Sequence, residues 1–180
     1  MANVHLCAGL ERIKLADWQE ELTEAELRSL AKLTNLRTLY LDGIRLDESD
    51  AEAISEVFAN KSQLRYLYLN CGMTVTDEIL EAIALNCPLV KDVLLPIESG
   101  PDVSDDGVQK VIKKCHHIER LFLPFNAKIT MKGVAGIKEA LPNLETLGFN
   151  PVGATEAEVN NLASSLSLGE FVCPLLENDI

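Results

Sequence analysis

Leu64-Arg65-Tyr66-Leu67-Tyr68-Leu69, then Val75-Thr76-Asp77-Glu78-Ile79-Leu80, then Asn86-Cys87-Pro88-Leu89: the fold is decided by this stretch. In its first part Leu67 and Leu69 alternate with Tyr66 and Tyr68, the period-2 pattern of a strand with one buried face. Thr76-Asp77 reads as a helix start. A threonine hydroxyl accepts from the free N–H groups of a first turn, and an acid beside it suits the positive end of the helix dipole. Ile79, Leu80 and Ile83 then recur at helical spacing. Pro88 follows where a helix can no longer continue. The unit is strand, loop, helix, return.

Working outward, the pattern L-x-x-L-x-L recurs with conservative substitutions along nearly the whole chain. Its copies are Leu10/Ile13/Leu15, Leu36/Leu39/Leu41, Leu64/Leu67/Leu69, Val90/Val93/Leu95, Ile118/Leu121/Leu123 and Leu144/Leu147/Phe149, with a weaker seventh at Leu168/Phe171/Cys173. Their first residues lie 26, 28, 26, 28, 26 and 24 positions apart, the mark of a repeat architecture. Further helix starts are expected at Thr23-Glu24, Asp47-Glu48, Ser104-Asp105, Thr130-Met131 and Thr155-Glu156. Apolar helix faces follow them, such as Leu27/Leu30/Leu33, Ile54/Val57/Phe58, Val108/Val111/Ile112, Val134/Ile137/Leu141 and Val159/Leu162/Leu166. Pro96, Pro124 and Pro151 come just after strands, where a missing N–H costs the sheet nothing. One such unit cannot bury its own leucines, but a stack can. Seven parallel strands at about 4.8 Å spacing would make a sheet roughly 30 Å long.

These units resemble the leucine-rich repeats, and in particular their cysteine-containing subtype, whose pattern runs L-x-x-L-x-L, Cys or Asn, I-T-D, an apolar helix, then C-P-x-L. The matching residues are Leu64 to Leu69, Val75-Thr76-Asp77 and Asn86-Cys87-Pro88-Leu89; then Val103-Ser104-Asp105 and Lys114-Cys115; then Asn126, Ile129-Thr130 and Leu141-Pro142-Asn143-Leu144. Two departures are visible. Cys71 falls one place before the Cys/Asn position, which Gly72 fills, and the unit from Leu36 has Ile44 there. That unit's helix, Asp50-Ala51-Glu52-Ala53-Ile54, is more similar to the ribonuclease-inhibitor subtype. The resemblance covers about residues 10–173. It implies an α/β solenoid, a curved right-handed strand–helix stack with a parallel sheet on the concave face and helices on the convex face.

The 180 residues are expected to form a single domain of about seven units starting near 10, 36, 64, 90, 118, 144 and 168, with an N-terminal cap over 1–9 and a C-terminal tail over 174–180. With 47% hydrophobic residues the chain can supply a core for all of it. The first residues lack a basic segment followed by a long apolar run, so no secretory signal is expected. No apolar stretch is long enough to span a bilayer. Five cysteines without a signal read as reduced thiols in a cytoplasmic or nuclear protein. A net charge of −12 makes the chain a poor general binder of nucleic acid or anionic membrane.

Little in the sequence points to chemistry. Cys115-His116-His117 is the one cluster of metal- or nucleophile-type residues, but Cys87 and Cys115 stand three residues before a strand, where other units carry Leu33 and Leu141. They read as small buried apolar side chains, and His116 and His117 as solvated turn residues. Metal-ligand spacing such as C-x-x-C is absent, as are nucleophile-elbow and phosphate-loop motifs. No metal, cofactor or catalytic residue is expected, and the chain is read as a non-enzyme. The many acids, among them Glu24, Glu26, Glu52, Glu56, Asp105 and Asp106, read as a solvated helix face with a capping role.

The strands are more informative. Alternation sends the third and fifth residues of each hexapeptide to the concave face. That projects Tyr40, Tyr66, Tyr68, Leu94 and Phe122, bordered by Arg12, Lys14, Arg37, Arg65, Lys91 and Arg120. Aromatics interleaved with arginine are the makings of a protein interface. The first expectation is therefore a protein-interaction module whose partner carries an acidic and apolar segment. By resemblance to the repeat regions of F-box substrate receptors, an adaptor role in a ubiquitin ligase is implied. Only nine residues precede the first copy, fewer than an F-box needs. Two readings follow, a repeat protein working without the ligase adaptor or a piece of a longer chain. A second expectation is direct regulation of an enzyme such as a nuclease or a small GTPase, with Arg45 the arginine to test. Nucleic-acid binding by stacking on the tyrosines is a third, disfavoured by the charge.

Overall fold

A computed structural model describes residues 9–16, 22–43, 51–70, 74–96, 102–125 and 127–176; of Ala51 and Leu176 only the backbone is described. Strand and helix alternate: β1 (Arg12–Leu15), α1 (Glu24–Ala31), β2 (Thr38–Asp42), α2 (Ala51–Val57), β3 (Tyr66–Asn70), α3 (Asp77–Asn86), β4 (Asp92–Leu94), α4 (Asp105–Lys114), β5 (Arg120–Phe122), α5 (Ile137–Ala140), β6 (Thr146–Gly148), α6 (Glu156–Ser165) and β7 (Glu170–Val172). The seven strands form one all-parallel sheet in chain order. Each strand keeps an apolar face because its leucines alternate with other residues. Leu39, Leu67, Val93, Leu121 and Leu147 pair side by side across five strands and are buried. They join Leu27, Ile54, Ile79, Val108 and Ile137 from the helices in one continuous core.

The acids at the helix starts have two jobs, only one of which the sequence revealed. In α1 and α6, Thr23 and Thr155 form reciprocal capping boxes with Glu26 and Glu158. In the middle units the acid reaches into the next repeat instead. Asp77 accepts from Ser104 N (2.9 Å) and Ser104 Oγ (2.5 Å), and Asp105 accepts from Thr130 N and Oγ1 (both 2.7 Å). Gly107 and Gly133 leave room for these carboxylates. A Cβ on Gly107 would lie 2.1 Å from Asp77 Oδ1, and one on Gly133 2.5 Å from Asp105 Oδ1.

The helix expected from Thr130 is not formed at that point. Residues 131–136 are turns, and α5 is a single turn. Gly133 is committed to its contact with Asp105, and Gly136 takes φ +73°, which a continuing helix forbids. Thr130 Oγ1 still accepts from Lys132 N (3.1 Å), so the start signal is used but not propagated. The start at Asp47-Glu48, the subtype positions Ile44, Cys71, Gly72 and Asn126, and Arg45 lie outside the described residues, as do most of the cap (1–8) and the end of the tail (177–180).

Lys61 was not anticipated. It stands three residues before Leu64, the place held elsewhere by Leu33, Cys87, Cys115 and Leu141, and it is 0% exposed. Its ammonium donates to the carbonyls of Ala31 (2.9 Å), at the end of α1, and Ala59 (3.4 Å). Removal from water lowers its pKa to about 8.

Candidate functional site

Strand register builds the site. On the sheet face turned away from the helices, Arg12, Thr38, Tyr66, Asp92, Arg120, Thr146 and Glu170 form one row, and Lys14, Tyr40, Tyr68, Leu94, Phe122, Gly148 and Val172 the next. The Tyr40 and Tyr68 rings stack, with centroids 4.3 Å apart and planes at 7°, and the Lys14 ammonium lies 4.6 Å from the Tyr40 centroid. Tyr40 Oη donates to Asp42 (3.1 Å), whose other oxygen accepts from Asn70 Nδ2 (2.7 Å). Loss of water around the phenol, then its hydrogen bond to Asp42 and the charge of that acid, push Tyr40 up to about 12. It stays a neutral donor at physiological pH.

Beyond the stack is a hollow of about 370 Å³ lined by Thr38, Tyr40, Tyr66, Tyr68, Asp92, Leu94 and Arg120, together with Leu39 and Leu67. Tyr66 stands in it 45% exposed. Phe122 does not close the hollow. Its ring lies over Gly148, where an added Cβ would come within 2.4 Å of it. That glycine lets the phenyl fold toward β6.

The basic fringe is more nearly neutral than its sequence reads. Arg120 pairs with Asp92, which is only 5% exposed; this bond raises the Arg120 pKa further. Lys91 pairs with Glu119 at 2.5 Å and Arg37 with Glu11 at 3.6 Å. Arg65 leans on the carbonyls of Gln63 (3.1 Å) and Leu64 (3.4 Å). Among the described residues Arg12, Lys14 and Arg65 have no carboxylate partner. Tyr40, Tyr66, Tyr68, Leu94 and Arg120 are thus brought around one hollow. Arg37, Arg65 and Lys91 sit just before their strands, outside the lining. Sequence reading puts Asp92 in the same outward row as Arg120 but misses their pairing, and it misses Glu119 and Glu11 altogether, although each stands one repeat from the cation it pairs with.

The cysteine–histidine cluster is pulled apart. Cys115 is fully buried and donates to Cys87 O (3.6 Å), while His116 and His117 are exposed and His116 Nδ1 meets Ala140 O (3.2 Å). Burial pushes the Cys87 and Cys115 thiols up to about 12, away from the reactive thiolate. Among the described residues no three His, Cys, Asp or Glu side chains are placed to hold a metal ion, and no helix is long and apolar enough to cross a membrane.

Fold and site together define an α/β protein with one all-parallel sheet whose outer face carries an aromatic row beside ion-paired cations. No model of a known protein family matches the chain, and no curated protein matches it either.

Proposed function

We propose that the chain is a leucine-rich-repeat solenoid of the cysteine-containing type, and that it works as a protein-interaction module whose concave sheet face docks a partner protein. The fold reading is supported by seven strands in chain order, each equivalent hexapeptide position in register with the next, and a helix after each of the first six. It is supported further by the buried Cys87 and Cys115 at the subtype's cysteine positions. A single observation carries the functional reading: three tyrosines frame an open, mostly apolar hollow, one of them nearly half exposed. Water-exposed aromatic surface of this kind marks a binding face, and Tyr and Arg are the residues that dominate interface energetics.

The partner segment that fits inserts an apolar side chain between Tyr66, Tyr68 and Leu94 and brings an acid toward Arg12, Lys14 or Arg65. An adaptor or substrate-recognition role, in the cytoplasm or nucleus, suits such a face. Nucleic acid is a poorer match. Arg37, Lys91 and Arg120 are each satisfied by an acid of this chain, so few cations remain for a phosphate backbone.

The test is affinity capture with the wild type and a Tyr40→Ala/Tyr68→Ala variant, after circular dichroism establishes that both are folded. Partners of the wild type are expected to be lost from the variant, each truncation weakening binding by about tenfold or more. Equal retention by a folded double variant would remove the sheet face as the site.

A further inference from the structure

Charge changes sign along the sheet face. On and just before β1 to β3, the cations Arg12, Lys14, Arg37 and Arg65 stand against the acids Glu11 and Asp42, a net +2. Lys91 and Asp92 leave β4 neutral. On and just before β5 to β7, the acids Glu119, Glu145 and Glu170 stand against Arg120 alone, a net −2.

Pairing within the chain sharpens the division. Arg37 is held by Glu11, Lys91 by Glu119 and Arg120 by Asp92, and the Asp42 carboxylate is held by Tyr40 and Asn70. What is left is Arg12, Lys14 and Arg65 at one end and Glu145 and Glu170 at the other. Both of these acids are exposed and, among the described residues, have no cation partner. They are also neighbours, since Glu170 N donates to Glu145 O (3.1 Å) across the last pair of strands. Like charges so placed repel, and a cation from outside the chain would relieve them. The tyrosine-lined hollow lies between the two ends, its lining drawn from β2 to β5.

We propose that the sheet face takes a bipolar segment of a partner protein, laid across the strands. Its acidic end meets Arg12, Lys14 and Arg65, its apolar anchor fills the hollow, and its basic end meets Glu145 and Glu170. This rests on the docking role given above to the sheet face and adds a direction and a second charged contact. Geometry sets the length. From Arg65 to Glu145 is three strands, roughly 14 Å, and from Arg12 to Glu170 six, roughly 29 Å, at about 4.8 Å per strand. An extended segment rising about 3.3 Å per residue therefore carries its acids and bases about four to nine residues apart. A nucleic acid or an all-acidic segment would suit the first end but be repelled at the second, in a protein of net charge −12.

Two fluorescently labelled probes test this by anisotropy with the whole chain at low salt: bipolar acetyl-Glu-Glu-Ser-Leu-Leu-Ser-Lys-Lys-amide and all-acidic acetyl-Glu-Glu-Ser-Leu-Leu-Ser-Glu-Glu-amide. The wild type is expected to prefer the bipolar probe by about tenfold, because two contacts change from attraction to repulsion. Glu145→Lys/Glu170→Lys should reverse that preference, and Arg12→Glu/Arg65→Glu should weaken both probes. Tyr40→Ala/Tyr68→Ala should weaken both without changing their ratio. All the substituted charges are on the surface, and thermal melts establish that the variants are folded. The proposal is overturned by equal affinity for the two probes, by a preference that survives Glu145→Lys/Glu170→Lys, or by no binding of either probe. It is overturned as well if sedimentation shows a dimer of the chain that those two reversals dissociate, which would assign the acids to a second copy. Equal affinity for the probes together with loss of both on Tyr40→Ala/Tyr68→Ala would refute the bipolar segment and leave the sheet face standing as a docking site.

Discussion

Lys61 is the most exacting test of how the core is built, because a charge occupies a place designed for an apolar side chain. Its ammonium has two carbonyl acceptors and, among the described residues, no carboxylate partner. Loss of solvation lowers its pKa from 10.5 to about 8. At 1.36 kcal/mol per pH unit this displacement corresponds to about 3 kcal/mol of destabilisation while the amine is charged. The sign follows from proton counting. Below about pH 8 both folded and unfolded states hold the proton, and the full cost is present. Between about 8 and 10.5 the folded state has released it and the unfolded state has not, so stability rises with pH. Lys61→Met removes the charge but strands the Ala31 carbonyl, an offsetting loss of about 1–3 kcal/mol. The variant should therefore be as stable as the wild type at neutral pH or up to about 2 kcal/mol more stable. Its advantage should decline by about 3 kcal/mol as the pH is raised through the window. Urea unfolding of both proteins from neutral pH to about pH 10.5 measures this. The difference between the two curves is the quantity to read, because Cys87 and Cys115, raised from 9.0 to about 12, and Tyr40, raised from 10.0 to about 12, lower stability with pH in both proteins. A difference that stays flat across the window would refute the argument that this amine is desolvated in the fold.

Three further outcomes are expected. Asp105→Ala removes both bonds to Thr130 and should cost about 1–3 kcal/mol, with faster amide exchange at Thr130 as its local signature; unchanged exchange would mean that the cross-repeat bond does not form. Gly148→Ala drives a methyl into the Phe122 ring and should destabilise by about 1–3 kcal/mol in a thermal melt, while an unchanged melt would show that the ring does not rest there. Cys87 and Cys115, with thiols raised to about 12, should resist iodoacetamide at neutral pH until urea unfolds the chain, as read by peptide mass spectrometry.

Strands, register and the two surface rows were legible because a period of two leaves a strand no freedom about which residues face the core. Once Leu39, Leu67 and Val93 are aligned, Tyr40, Tyr68 and Leu94 must be neighbours. The burial of Cys87 and Cys115 followed from the same alignment. Lys61 could have been found by it too, since it sits three residues before Leu64, but a lysine is so seldom fully buried that its type outweighed its place. The truncation of α5 was hidden for another reason. Val134, Ile137 and Leu141 keep helical spacing, and the conformation of Gly136 and the packing of Gly133 on Asp105 are tertiary facts. The near-neutrality of the basic fringe was missed because Asp92 was aligned beside Arg120 without being paired with it, and Glu11 and Glu119 were not aligned at all.

That last omission carries a general consequence for this molecule. Many of its polar contacts span one repeat: Arg28 to Glu56, Asn70 to Asp42, Lys91 to Glu119 and Arg120 to Asp92 are each 28 residues apart, and Asp77 to Ser104 is 27. Polar side chains therefore obey the nearest-neighbour rule that the leucines obey, and the interfaces between the first five units carry polar clasps beside their share of core. Substitutions at distant sites with no shared partner act independently, while those within one contact network couple. Lys61→Met acts between the first and second units, through Ala31, and Asp105→Ala between the fourth and fifth. Their effects should add to within about 0.5 kcal/mol. Asp92→Asn and Glu119→Gln, whose partners Arg120 and Lys91 clasp the same pair of strands, should not.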